Sequence, residues 1–232
     1  PHLGQTPREC HHVDAHGSTV VSGSMHPLLE VLAAAAADVH PRVDGGVDVY
    51  PLDANGTGAV VELTGHSYVL TDRDPDEVVA RGADGFGGAS APDLKLWLAG
   101  PGGWIGTQDA VLVARGRGGG GLPERTDLED HSRVVRARQH RGDLRVFGDE
   151  HGLVTIGHGL VGRTEISVEL FDDVRHGTGH GRRLIGEGLD LVEPGALVFA
   201  QVAPGNAASV RAILHAGFSP LGAETLFEPH RD

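Results

Sequence analysis

Two acidic residues on one predicted strand, followed by a glycine-rich turn, are the residues of this chain best suited to chemistry. Glu165 and Glu169 lie in the stretch Thr164–Phe171, and a strand would place both carboxylates on one face, about 13 Å apart. A carboxylate held in this way can take a proton from an incoming nucleophile. The turn that follows, RHGTGHGR at residues 175–182, contains three glycines that let the backbone approach a phosphate group closely. We therefore expect a general base beside a phosphate-binding turn.

A strand and a helix must hold this turn in place. The apolar residues of Ile166–Leu170 alternate with polar ones, as in a strand, and those of Leu184–Val192 recur at helical spacing. A turn between a strand and the start of a helix offers backbone N–H groups and the positive end of the helix to a phosphate. The pattern predicts a nucleotide or coenzyme site. A plain surface loop is the alternative, because 36 of the 232 residues are glycine.

A second strand and helix follow about 20 residues later and favour the coenzyme site. Leu197–Val202 has the composition of a strand, and Asn206–Phe218 reads as a helix closed by Gly217. The two blocks together resemble the GNAT superfamily of acyl-CoA N-acyltransferases, in which a basic or amide residue opens a glycine loop and an Asn-led helix ends in Gly-Phe. The resemblance covers roughly residues 144–228. His176 stands at the opening position of the loop, with Arg175 beside it, and Ile213 stands where many members carry a general-acid tyrosine.

The resemblance implies a fold and an activity. The fold would be α/β (α+β), a mixed, largely antiparallel twisted sheet flanked by helices, with an N-terminal extension. The activity would be transfer of an acetyl group from acetyl-CoA to an amine of a small molecule or protein. Glu165, with Glu169 as the second candidate, would be catalytic. The implied coenzyme-binding residues are Leu170, Phe171, Arg175, His176, Gly177, Thr178, Gly179, His180, Gly181, Arg182, Asn206 and Ser209.

Other functions stay open at this point. A non-catalytic acyl-CoA-binding or sensing module of the same fold is the main alternative, because the usual tyrosine is replaced by Ile213. His158 and His180 could also act as bases near neutral pH. An enzyme that uses ATP or GTP is disfavoured, because Arg182 and Arg183 follow the turn where a P-loop would have Lys and Ser or Thr.

Composition limits the partners. The formal net charge of −13 argues against nucleic acid and anionic membranes as partners and favours encounter with amines. The single cysteine, Cys10, fits a reducing, cytoplasmic location. No apolar run approaches the ~20 residues that span a bilayer. We expect no metal and no nucleic acid or membrane partner, while a homodimer remains open.

The chain divides into three predicted parts. Residues 1–24 precede the only methionine, Met25, and are expected to be a disordered leader or a cloning remnant. Their group of His11, His12, Asp14 and His16 offers a less favoured metal site. Residues 25–121 would form a strand and helix region on the acceptor side, ending in the glycine linker 116–121. Residues 122–232 would form the coenzyme-binding core.

Local patterns predict the remaining elements. The first part should contain a helix over 28–39, a hairpin of strands 47–52 and 59–70 around Asn55-Gly56, helices over 76–81 and 92–98, and a strand over 110–114. Thr126 and Glu129 form a capping box that predicts a helix to Gln139. Strands 144–148, 153–157 and 164–171 should then form an antiparallel meander.

Overall fold

The computed structural model describes residues 25–171, 174 and 177–230. In this part of the chain the strands form a single nine-stranded sheet with the order β1-β3-β2-β9-β4-β8-β7-β6-β5. The strands are β1 (Val47–Tyr50), β2 (Gly58–Leu63), β3 (His66–Leu70), β4 (Trp104–Arg115), β5 (Gly142–Gly148), β6 (Gly152–His158), β7 (Thr164–Leu170), β8 (Leu197–Val202) and β9 (Ser219–Glu228).

Six α-helices in the described residues flank the sheet. They are α1 (Pro27–Ala35), α2 (Pro75–Ala80), α3 (Pro92–Ala99), α4 (Ser132–His140), α5 (His180–Asp190) and α6 (Ala207–His215). The Asp74 carboxylate caps the start of α2, because it accepts hydrogen bonds from the backbone N–H groups of Asp76 and Glu77. The predicted fold class, a mixed and largely antiparallel sheet flanked by helices, is confirmed. Only the β1–β3 and β7–β8 pairs are parallel among the strand pairs described.

Alternation along β4 shows how the two faces of the sheet are covered. Val111 and Val113 pack in the cluster that holds Leu28 and Leu32 of α1. Leu112 points the other way, into the cluster formed with α5 and α6. The same alternation in β2 directs Val60 toward α2 and α3. We call the side covered by α1 the front face; α4 also lies on it, because Val134 packs against Leu153 of β6.

The predicted hairpin around Asn55-Gly56 is wrong. The stretch 59–70 forms two strands, β2 and β3, which pair antiparallel through a turn at Gly65. β1 pairs with β3 in parallel instead of with β2. The carboxylate of Asp53 accepts hydrogen bonds from the backbone N–H groups of Asn55 and Thr57, so the Asn-Gly segment is a compact connection between non-adjacent strands.

The capping box at Thr126 is also wrong. Residues Thr126–Leu128 form one turn of 3-10 helix, and α4 begins only at Ser132. Its N-cap is His131, whose Nδ1 accepts a hydrogen bond from the backbone N–H of Arg133. Arg125 binds the carboxylate of Asp127 and holds the preceding turn in place.

The sheet runs continuously across the predicted boundary at residue 121. β4 comes from the first part of the chain, yet it pairs with β8 over Ala110–Arg115 and with β9 over most of its length. β4 therefore separates two strands that α6 connects in sequence. The predicted segment 1–24, with Cys10 and the histidine group, lies outside the described residues. Within the described part, none of the helices combines the length and apolar character needed to cross a membrane.

Candidate functional site

A cleft opens where β7 and β8 separate. The two strands run parallel but pair only at Glu165 and Phe199, near their starts. Beyond that pair, residues 165–170 of β7 and 200–203 at the end of β8 line a cleft of about 1060 Å³. On its other side β7 is fully paired with β6. Beyond Glu165, the edge of β7 that faces the cleft is therefore not paired with another described strand, although Arg133 Nη2 donates to the carbonyl of Val168 at 3.4 Å.

The glycine turn and the start of α5 lie at this cleft. Gly179 is the N-cap of α5 with a φ of 90°, and no side chain of the described residues caps the helix. Gly177 also has a positive φ, of 81°. A Cβ on either residue would meet no atom within 4 Å, so the turn needs glycine for its backbone conformation and not for lack of space. Gly181 and Arg182, in the first turn of α5, complete this end of the cleft.

The start of α6 forms the opposite wall. The Oδ1 atom of Asn206 accepts a hydrogen bond from the backbone N–H of Ser209, at 3.2 Å, and thereby caps the helix. Both residues line the cleft. Ile213, at the position of the family tyrosine, lines it too. An isoleucine side chain has no proton to donate.

Most of the predicted site residues lie together. The cleft is lined by Glu165, Glu169, Leu170, Gly177, Thr178, Gly179, Gly181, Arg182, Asn206 and Ser209. Phe171 and His180 do not line it. Phe171 packs beside Val134 and Leu153, while the ring of His180 stacks on that of His151 at 3.9 Å. Arg175 and His176 lie outside the described residues.

Glu165 is buried and held by two arginines. Arg163 Nε donates to Oε1 at 2.8 Å, and Arg141 Nε donates to Oε2 at 2.7 Å. Burial alone would raise the pKa of Glu165, but the two guanidinium groups outweigh it and hold the pKa below its usual range. A carboxylate with both oxygens bound and a lowered pKa is a weak base. These contacts argue against the predicted catalytic role of Glu165.

Arg163 joins Glu165 to a second buried carboxylate. Its Nη1 and Nη2 atoms donate to both oxygens of Glu224 on β9, at 2.7 and 2.6 Å. Burial is the largest influence on Glu224 and raises its pKa despite the contact with Arg163. The guanidinium of Arg163 also lies over the ring of Phe199, 5.4 Å from its centroid. The result is a buried ionic group beneath the cleft.

Glu169 and Asp109 are the other acidic residues of the cleft. Glu169 forms an ion pair with Arg133 of α4, with 2.9 Å between Arg133 Nε and Glu169 Oε2. Asp109 of β4 is half-buried and accepts a hydrogen bond from Thr107 Oγ1 at 2.9 Å. Burial raises the pKa of Asp109, and Thr107 and Arg136 lower it by less.

Arg141 also bonds to two other side chains that line the cleft, those of Gln201 and Ser167. Arg141 Nη2 donates to Gln201 Oε1 at 3.2 Å, and Nη1 donates to Ser167 Oγ at 3.1 Å. The Nε2 atom of Gln201 is buried and has no hydrogen-bond partner within the described part of the chain. A buried donor of this kind is expected to bond a ligand or an ordered water molecule.

Helix α4 and the start of β4 form the rest of the cleft. The indole of Trp104 stacks on the ring of His140, with centroids 5.4 Å apart, and both residues line the cleft. From the predicted acceptor region 25–121, only four residues line it: Trp104, Gly106, Thr107 and Asp109. This end of the cleft therefore combines the end of that region with α4 of the following part.

Several site residues were not predicted. A weak signal in the sequence pointed to Arg163 as a partner of Glu165. The two residues have opposite charges and lie two apart, which places them on the same face of an extended strand. Arg141 and Glu224 carried no such signal, since Arg141 lies 24 residues from Glu165 and Glu224 lies 61 residues from Arg163. Asp109 carried none either, because its hydrogen bond with Thr107 gives no sign of the cleft. Their contribution depends on the order of strands in the sheet.

One group of potential metal ligands occurs among the described residues, and it lies outside the cleft. Asp149, Glu150 and His151 come within 4.8 Å of one another at the turn between β5 and β6. Asp149 also forms an ion pair with Arg183. Exposed carboxylates on a turn commonly cluster in this way, so the group does not by itself indicate a metal site.

No protein-family model and no curated protein sequence matches the chain. Among solved structures, it is similar to an acetyltransferase of the GNAT family from Colwellia psychrerythraea, with a TM-score of 0.33 and 12% identity over 55% of this chain and 57% of that chain. It is also similar to a protein described as an acetyltransferase of the GNAT family from Novosphingobium aromaticivorans, with a TM-score of 0.37 and 16% identity over 56% of this chain and 69% of that one. The chain thus spans little more than half the length of the Colwellia protein.

Proposed function

We propose that this protein is an N-acyltransferase that transfers an acetyl group from acetyl-CoA to an amine. The observation that carries the proposal is the opening between β7 and β8, with the uncapped start of α5 beside it. An acyl-CoA molecule combines a pyrophosphate with an extended arm that contains two amides. The first N–H groups of α5, which no side chain of the described residues caps, suit the pyrophosphate, and the edge of β7 that pairs with no described strand beyond Glu165 suits the amides.

The edge of β7 that faces the cleft can also assist acetyl transfer. Attack of an amine on a thioester places negative charge on the carbonyl oxygen, and fixed hydrogen-bond donors stabilise that charge. Backbone N–H groups of β7 and the unpartnered Nε2 of Gln201 are donors that line the cleft. Because the thiolate of coenzyme A is a good leaving group, a tyrosine at the Ile213 position is not indispensable. Proton return from water or from the attacking nitrogen would suffice.

The acceptor is proposed to enter from the side of α4 and β4. Trp104 and His140 offer a flat aromatic surface there, and Asp109 offers a carboxylate. An amine of a small molecule or an exposed amine of a protein fits this combination. As part of the same proposal, the protein would act in the cytoplasm, where acetyl-CoA is available.

A non-catalytic acyl-CoA-binding module is the second candidate. It is favoured by Ile213, which lines the cleft and cannot act as an acid. Both functions would use the same coenzyme site, but only the transferase would turn over acetyl-CoA with an amine.

Release of free thiol from acetyl-CoA distinguishes them. The purified protein would be incubated with acetyl-CoA and a panel of polyamines, arylalkylamines and lysine peptides, and thiol formation would be followed with a chromogenic reagent. Amine-dependent thiol release, with an acetylated product seen by mass spectrometry, supports the transferase. Saturable binding of acetyl-CoA without turnover on any amine would favour the binding module.

A further inference from the structure

The cleft contains four carboxylates, and arginine binds three of them. Glu165 is bound by Arg163 and Arg141, Glu224 is bound by Arg163, and Glu169 pairs with Arg133. These side chains already have a cationic partner. Asp109 is different, because its only direct polar contact in the described part of the chain is the hydroxyl of Thr107.

The position of Asp109 in the sheet places it beside the coenzyme opening. Asp109 lies directly opposite Glu224 on the antiparallel strand β9, so both side chains point to the front face. On the other side of β4, Ala110 pairs with Val202. Asp109 therefore lies next to the end of β8, where β8 has already separated from β7.

Register across the sheet brings the polar residues of the cleft to the same face. Val111 pairs with Gln201, and Val113 pairs with Phe199, which itself pairs with Glu165. Since residues two apart on a strand share a face, Asp109, Gln201 and Glu165 all lie on the front face. Asp109 is the member of this row that remains half exposed and forms no ion pair within the described part of the chain.

From this arrangement we propose that Asp109 binds the ammonium group of the acceptor and takes its proton. This inference rests on the proposed acetyl transfer and adds to it a named base and an acceptor class, a primary amine that arrives protonated. An ammonium ion would supply the positive charge that Asp109 lacks. Arginine supplies the equivalent charge to the other three carboxylates.

In the proposed acetyl transfer, Asp109 acts first. One proton of the ammonium group passes to the Asp109 carboxylate, which leaves a neutral amine with a free electron pair. The nitrogen attacks the thioester carbonyl carbon, the C–N bond forms, and the C–S bond breaks. The second proton leaves the nitrogen and reaches the thiolate, giving free coenzyme A, and Asp109 returns its proton to water.

The surroundings of Asp109 suit a base. Burial is the largest influence on its carboxyl and raises its pKa, which brings the group closer to the range in which a carboxylate accepts a proton effectively. The charged groups that face it are Glu224 on β9, which disfavours a second negative charge, and Arg136 on α4, which favours it.

The test replaces Asp109 by asparagine and compares it with the same change elsewhere. Asp109→Asn keeps the shape of the side chain and removes the base. Asp130→Asn makes the identical chemical change at an exposed residue outside the cleft. For wild type and both variants, acetyl-CoA affinity is measured by calorimetry, stability by urea unfolding, and thiol release over a range of pH with the best amine of the panel.

We expect Asp109→Asn to keep acetyl-CoA affinity within a few-fold and to lower kcat at neutral pH by about 10²-fold or more. Its activity should rise with pH as the amine loses its proton in solution, which a merely structural role would not produce. Asp130→Asn should behave as wild type. Unchanged turnover in Asp109→Asn, with an active wild type, would overturn the inference and leave the transferase intact. A wild type that binds no acetyl-CoA would overturn both.

Discussion

Arg163 and Glu224 form a bidentate pair in which the arginine side chain is fully buried and the glutamate is 2% exposed. Arg163 directly precedes β7, while Glu224 lies at the centre of β9. The pair therefore links β7, which borders the opening to β8, to a strand three positions away in the sheet. Because Arg163 also binds Glu165, one guanidinium fixes the position of two carboxylates beneath the cleft.

Replacement of Arg163 by leucine should destabilise the fold severely. It would leave Glu165 with one cation and Glu224 with none, and removing one partner of a buried ion pair typically costs about 3–5 kcal/mol. Urea unfolding measures the change. Arg145→Leu removes an arginine from an exposed ion pair with Glu124 and serves as the control, with little expected change in midpoint. Equal midpoints for the two variants would show that Arg163 is not required for stability.

Acid should weaken the wild-type fold more than that of a Glu165→Gln variant. Burial tends to raise the pKa of Glu165, but Arg163 and Arg141 hold it below its usual range. Ionised Glu165 therefore contributes stability above the unfolded value of about 4.3, and the contribution is lost as the pH falls below that value through the folded pKa.

Unfolding free energies at a series of pH values check this expectation. The difference in stability between wild type and Glu165→Gln should shrink as the solution becomes acidic. Burial raises the pKa of Glu224, which contributes with the opposite sign but is present in both proteins. A difference that stays constant down to about pH 3 would contradict the lowered pKa of Glu165.

Gly179→Ala should weaken coenzyme binding through the backbone. Gly179 has a φ of 90°, which alanine adopts only with strain, so the turn would have to move away from the start of α5. Gly195→Ala is a matched control, because Gly195 has a φ of 83° and similar open space but lies outside the cleft. Both variants should lose some stability. Calorimetry should show an acetyl-CoA affinity at least ~10-fold lower for Gly179→Ala alone.

Residues 122–232 should not fold without the first part of the chain. β4 is hydrogen-bonded to β8 on one side and to β9 on the other, so its removal would expose the edges and apolar faces of both strands. The isolated fragment should show no cooperative unfolding by circular dichroism, whereas residues 25–232 should. A cooperatively folded fragment would indicate that β8 and β9 can close the gap by themselves.

Local sequence signals predicted the parts of the structure that are local. The strand β7, the turn at Gly177–Gly181 and the helix α5 are neighbours in sequence, as are β8, Asn206 and α6. In these segments hydrophobic period and glycine positions determine the element with little help from the rest of the chain. The elements that border this side of the cleft were therefore largely predictable.

The features that could not be predicted depend on pairing between strands that lie far apart in the sequence. β9 contains Pro220 and Gly222 and buries Glu224, so it lacks the apolar alternation of a strand. The length of β4 was underestimated because its first half carries polar residues such as Thr107 and Asp109, which line the cleft. Arg141, the more distant arginine partner of Glu165, became evident only when the sheet order was known.

Calorimetric titration of the intact protein with acetyl-CoA tests the central claim most directly, because the opening between β7 and β8 is proposed to hold this molecule. We predict saturable binding at one site per chain, with much weaker binding of ATP, which has phosphates but no extended amide arm to lie along β7. Absence of saturable binding at millimolar acetyl-CoA, or equal affinity for ATP, would contradict the account.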